Sequence, residues 1–214
     1  YLDGSNLHAK IKNDGALFSP EAAMNVFVQI ATTMSQMHKE NSLHRDLKPD
    51  NIMLTNDGAV KLIDFGSARD YVRSQDQDQT GMSVLVTTGY SPPEQYYRNG
   101  NQKDWTDVYA LCATYYYLVT GTAPKDSRFI TDVDRTEMRR RMIAHGVDDK
   151  VADIMMKGME PDYTERYSHF RSDTGKDNIL DDLDYLYVKS EPPEPHKPPD
   201  DPDGSTGTGI RTGP

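Results

Sequence analysis

The chain has 214 residues and a formal net charge of −10. That length can bury one good core and suits a single domain with an appendage, while the acidic balance argues against nucleic acid or an anionic membrane surface as a partner. Cys112 is the sole cysteine, which rules out an intrachain disulfide; it lies in an apolar run, reads as a small core residue, and suits a reducing, cytoplasmic setting. No apolar run approaches ~18 residues, so no membrane span is expected in this segment. Tyr1-Leu2-Asp3-Gly4 has neither an initiator methionine nor a signal-peptide pattern. We therefore read the chain as a piece of a longer polypeptide, any membrane anchor of which would lie outside this segment.

Residues 1–18 carry turn signals, Asp3-Gly4 and Asn13-Asp14-Gly15, around a short helical stretch. A helix is expected next. Ser19 suits the N-cap, Pro20 the first helical position, and Glu21 the positive end of the dipole. Ala23, Val26, Phe27, Ile30, Met34 and Met37 recur at helical spacing and predict a core-facing stripe. Leu43-His44-Arg45-Asp46-Leu47-Lys48-Pro49-Asp50-Asn51 follows. Beyond it, Ile52-Met53-Leu54 and Val60-Lys61-Leu62-Ile63 flank Asn56-Asp57-Gly58, a hairpin signal. The pairing would place Asn51 just before one strand and Asp64, of Asp64-Phe65-Gly66, just after the other. Both could then face one metal-filled cleft. A hard divalent cation takes oxygen ligands, which Asn51 and Asp64 supply. Lys48 can neutralise charge on a transferred phosphoryl group, and Asp46 can accept a hydroxyl proton.

The run His44–Asn51 resembles the catalytic loop of a eukaryotic-like protein kinase, and Asp64-Phe65-Gly66 resembles its magnesium motif. The wording of Leu62–Arg69 and of Pro92-Pro93-Glu94-Gln95 is similar to the bacterial Ser/Thr members of that family. The resemblance covers residues 1–186 and implies the family's C-terminal lobe: a mainly α, α+β architecture with a small β-hairpin region. It implies Asp46 and Lys48 as catalytic residues, with Asn51 and Asp64 holding Mg²⁺ (or Mn²⁺), and Phe65, His44 and Arg45 as structural support. Tyr1–Leu7 resembles the exit from the hinge, so the Leu2 backbone would meet adenine, and Asn6 would reach the ribose or simply be a polar turn residue. Met53 matches the residue beneath the adenine, with ordinary core as the plainer reading.

Residues 67–86 are polar and aperiodic and correspond to the family's activation loop. Ser83 lies eleven before Glu94, where many relatives carry an activating phosphate; Thr80 is a neighbouring candidate. Arg45 and Arg69 match the residues that would grip it, and unmodified loop hydroxyls are the plainer reading. Thr87–Glu94 resembles the segment that receives the substrate, with Thr87 on Asp46 and Lys48, a Ser/Thr-kinase pattern. Val86 and Thr88 stand where Gly and Pro are usual, which bears on loop shape and peptide preference. Glu94 is expected to pair with Arg166 as a structural ion pair. Trp105–Thr120 is apolar nearly all round, with Gly121 as C-cap, and predicts a helix buried on all sides. A charge inside it, Asp107, needs partners; the resemblance implies the catalytic-loop backbone at His44 and Arg45.

Residues 122–186 read as polar-faced helices. Arg139-Arg140-Arg141 reads as a solvated face, and His145 and His169 as surface or satisfied core residues. Residues 187–214, rich in Pro, Asp and Gly, read as a disordered linker.

No Gly-rich phosphate loop, strand lysine or partner glutamate lies upstream of Asp46. The resemblance thus implies a kinase lobe that uses ATP and a protein Ser/Thr substrate, lacks its N-lobe here, and has little or no turnover in isolation. A pseudokinase or half-kinase scaffold is the alternative from another class. A small-molecule phosphotransferase ranks last, since those families usually lack Lys48, the Asp-Phe-Gly wording and the Pro-Pro-Glu segment.

Overall fold

A computed structural model describes residues 3–63, 69–70, 86–171 and 177–190, with side chains for all but 69–70 and 185–190. The helical majority is built on caps that are legible in the sequence. Strand β1 (Gly4–Asn6) runs directly into helix α1 (Leu7–Asp14), where the Asn6 side chain accepts from the Ala9 amide at 2.7 Å and Gly15 closes the far end with φ +64°. Helix α2 (Pro20–Lys39) starts as expected: Ser19 Oγ accepts from Ala22 N at 3.2 Å, and Pro20 occupies the first turn. Its stripe of Ala23, Val26, Phe27, Ile30 and Met34 is buried, with Met37 packed at the margin.

Strand β2 (Ser42–Leu43) pairs antiparallel with β5 (Arg69–Asp70). The expected hairpin forms from β3 (Ile52–Thr55) and β4 (Val60–Leu62), in register Ile52 to Leu62, with Gly58 at φ +84° in the turn. The sequence reading did not foresee that Gly4–Asn6 would add to this hairpin as a third strand, in register Asn6 to Met53. Three residues are too few for a period-2 signal, and only the partner edge makes them a strand.

Helix α3 (Asp104–Thr120) is the centre of the molecule. Every residue from Thr106 to Thr120 is buried, and Gly121 ends the helix at φ +68°, donating to Tyr117 O at 2.8 Å. It packs against α2, with Phe27 edge-on to Tyr115 at 6.2 Å, and against α4 (Asp132–Ala144) and α5 (Asp149–Gly158). Helix α6 (Ile179–Ser190) packs on α5. Residues 191–214, most of the expected linker, lie outside the described residues. No helix among the described residues is long and apolar enough to cross a membrane.

Candidate active site

The catalytic-loop candidate hangs between α2 and the β3–β4 hairpin, and two of its backbone amides are held by one buried side chain. Asp107, fully buried in the first turns of α3, accepts from His44 N at 2.9 Å through Oδ2 and from Arg45 N at 2.8 Å through Oδ1. His38 Nε2, at the end of α2, lies 2.9 Å from the same Oδ2. Burial raises the Asp107 carboxyl, but the hydrogen bond and charge of His38, with the two amides, outweigh it and hold the group below the ordinary 3.8. Burial likewise opposes charge on His38, yet Asp107 and Asp104 more than offset it and raise the imidazole above 6.5. The buried carboxylate is thus compensated by the His38 imidazole and two amides.

This bed carries a left-handed residue. Arg45 has φ +67°, a conformation that disfavours any side chain by roughly 1–2 kcal/mol and persists only where neighbours over-determine it. The turn lifts Asp46 toward Lys48 and Thr87. Lys48 Nζ stands 2.8 and 3.0 Å from the two Asp46 carboxylate oxygens and 3.2 Å from Thr87 Oγ1, which itself donates to Asp46 Oδ1 at 2.9 Å. Asn51 Nδ2 donates to Asp46 O at 2.8 Å and to Asp46 Oδ2 at 2.9 Å. That aims the amide nitrogen at the loop, so Asn51 Oδ1 remains the atom suited to a hard cation.

Four of the sequence candidates, Asp46, Lys48, Asn51 and Thr87, therefore share one hydrogen-bonded cluster. The hairpin register adds a contact: Ile63 N, just past β4, donates to Asn51 O at 2.9 Å. Asp64 and Phe65 themselves, like Leu2, Thr80 and Ser83, lie outside the described residues. Asn6 and Met53 face each other across β1 and β3; the Asn6 carbonyl is already engaged as the cap of α1.

The substrate-loop candidate folds back on itself. Thr87 N donates to Ser91 Oγ at 3.0 Å, and Tyr90 and Ser91 amides return to Thr87 O. Gly89 turns the chain at φ +88°, where a Cβ would stand 2.6 Å from Pro124 O. Glu94, in a 3₁₀ turn (Pro93–Tyr96), meets Arg166 Nη1 at 2.8 Å and Thr106 Oγ1 at 3.1 Å. Arg166 spends its other donors on the carbonyls of Trp105, Glu160 and Pro161.

Two contacts escaped the sequence reading. His38 lies one helical step past Met34, a polar side chain on a buried stripe, which was a usable signal. Gln95 donates its side-chain amide to Arg45 O; fifty positions apart in sequence, this pair carried no signal.

Comparison with known proteins accords with this geometry. The family model for the protein kinase domain matches residues 1–174. The chain belongs to the protein kinase family. A probable serine/threonine-protein kinase of Clostridium perfringens is 33% identical over 198 residues, covering 90% of this chain and 27% of that protein. A probable serine/threonine-protein kinase PknB of Corynebacterium glutamicum is 37% identical over 124 residues, 58% of this chain and 19% of that one. Serine/threonine-protein kinase F of Synechocystis is 28% identical over 169 residues, covering 78% and 33%. The chain thus spans a third or less of the length of these relatives. The fold is also that of a solved structure, PpkA-294 in its apo form: TM-score 0.63, 24% identity, 87% of this chain and 61% of that one. Members of this kinase family in general use ATP and a divalent metal.

Proposed function

We propose that this chain is the catalytic C-terminal lobe of a Ser/Thr protein kinase domain, moving the ATP γ-phosphoryl group to a protein hydroxyl. The observation that carries the reading is the Asp46–Lys48–Thr87–Asn51 cluster on a loop pinned by Asp107. Asp46 orients the Ser or Thr hydroxyl. As that oxygen bonds to the γ-phosphorus, the bond from phosphorus to the bridging oxygen breaks, ADP carries the electron pair away, and Asp46 receives the hydroxyl proton. Lys48 lies beside the same carboxylate and neutralises charge on the migrating group. Thr87 ties the substrate segment to the base, so that docking a peptide and aligning Asp46 are one event. Asn51 and Asp64 would hold Mg²⁺, which neutralises phosphate charge when bound. Asn6 and Met53, with the backbone of Leu2, would meet the nucleotide, and Ser83 or Thr80 would carry a regulatory phosphate.

No Gly-rich loop or strand lysine precedes Asp46 in the 214 residues, so the isolated chain is expected to show little or no turnover. The test is a phosphoryl-transfer assay on the native polypeptide and on this chain alone, with Asp46→Asn and Asp64→Ala controls. Turnover by the native polypeptide that falls about 10²–10⁴-fold in Asp46→Asn supports the proposal. Mg-ATP binding by the native polypeptide without any turnover would instead make it a scaffold.

A further inference from the structure

The catalytic-loop candidate ends in a 3₁₀ turn, Pro49–Asn51, packed against α1 and α3. Pro49 and Asn51 are buried, whereas Asp50 between them is exposed. Among the described residues no cation and no hydrogen-bond donor engages its carboxylate. A surface carboxylate stands in water at little cost, so exposure alone assigns it nothing. Its neighbours are more specific. Tyr90, of the substrate-loop candidate, lies edge-on to Tyr117 of α3, with 6.4 Å between ring centres. His8 of α1 aims Tyr117 in turn: the Tyr117 hydroxyl is 2.9 Å from His8 Nδ1, and the two rings stack at 5.7 Å. Both tyrosine rings belong to the core, 8% and 9% exposed, so what they offer a ligand is their oxygens. Burial raises both phenols and the Asp50 charge raises them further, which keeps them neutral and puts all three groups within electrostatic reach of one another. The group also adjoins the base. Thr87 donates to Asp46, and Tyr90 N donates back to Thr87 O at 3.0 Å, so Tyr90 stands one turn from that contact.

We propose that Asp50, with the hydroxyls of Tyr90 and Tyr117, forms a subsite for an arginine side chain of the substrate protein. This deepens the reading of the chain as a kinase lobe and rests on it. One negative charge flanked by two neutral acceptors, on a chain of net charge −10, suits a flat cation with several N–H donors. A metal ion fits less well, since the described residues gather no group of three His, Cys, Asp or Glu that could hold one.

The test pairs Ser-containing peptides that carry one arginine, placed in turn at each neighbouring position, with copies in which neutral citrulline replaces it. Binding to this chain is read by fluorescence anisotropy. At one position arginine should be preferred about fivefold; Asp50→Asn should bring the ratio near one, and Asp50→Glu should keep it. Tyr90→Phe should weaken the preference by less, because it removes an acceptor and no charge. No preference for arginine at any position, or a preference that survives in Asp50→Asn, would overturn the subsite. In the native polypeptide the same ratio should appear in kcat/KM. Arginine preference in binding without turnover supports the subsite and counts against phosphoryl transfer, whereas turnover indifferent to arginine does the reverse.

Discussion

Two sets of ion pairs, one in the interior and one at the surface, use the same chemical groups to different ends. In the interior, Glu94 and Arg166 are 6% and 1% exposed, and the guanidinium meets the Glu94 carboxylate and the carbonyls of Trp105, Glu160 and Pro161, 5.0 Å over the Tyr109 ring. On the outer face, Arg139 of α4 meets Asp149 at 3.0 Å and Asp153 at 2.5 Å on α5, with both carboxylates exposed and the Arg139 side chain 36% exposed. Water replaces a lost partner on the surface and cannot do so in the interior. Distances alone would rank the two alike. Burial decides that one is structural and the other a solvated helix face.

The largest break in this comparison is Arg166→Ala. It removes the cation beside the buried Glu94 carboxylate and one donor from each of three backbone carbonyls, and should cost about 3–5 kcal/mol in urea unfolding. A Glu94→Leu/Arg166→Met double variant should recover a large part of that loss, because the pair's net worth is far smaller than the cost of halving it. A double variant no better than the single would show that the carbonyl contacts of Arg166, rather than its charge, hold this corner.

A subtler difference appears with pH. Folding raises the His38 pKa above its ordinary 6.5, so the folded state binds that proton more tightly. The resulting stabilisation is complete below pH 6.5 and is lost as pH rises through the higher folded value. Stability measured from about pH 6 to about pH 8 should therefore decline on this account, and His38→Gln should flatten the slope. An unchanged slope would mean that another group titrates there. Asp107 works in the opposite direction at low pH: its depressed pKa supplies stability above 3.8 that disappears as pH falls through the folded value.

The smallest effect belongs to the outer face. Arg139→Ala should leave the melting midpoint where it was, at low and at moderate salt, since its two carboxylates return to water. A clear drop would place α4 and α5 in a tighter union than their exposure implies.

Much of the fold could be read from local patterns. Ser19-Pro20-Glu21, the Asn56-Asp57-Gly58 turn and the largely apolar Trp105–Thr120 each specify an element through neighbours within a few residues. The cluster Asp46, Lys48 and Asn51 was equally legible, because its members sit on one loop. Other features were set by distant partners. The β1 strand exists only against β3, His38 finds its carboxylate partner only when Asp107 of α3 packs against it, and Gln95 meets Arg45 only after the substrate segment folds back. The left-handed turn at Arg45 was invisible for the same reason, since no Gly or Asn marks it and its support arrives from α3.

The amino-acid sequence by itself determined the family and the order of its motifs, and which carboxylate, lysine and amide share one loop, since these are properties of side chains and spacing. Tertiary structure decided how those groups are aimed, because a strained turn and a buried charge survive only when elements remote in sequence close around them and exclude water.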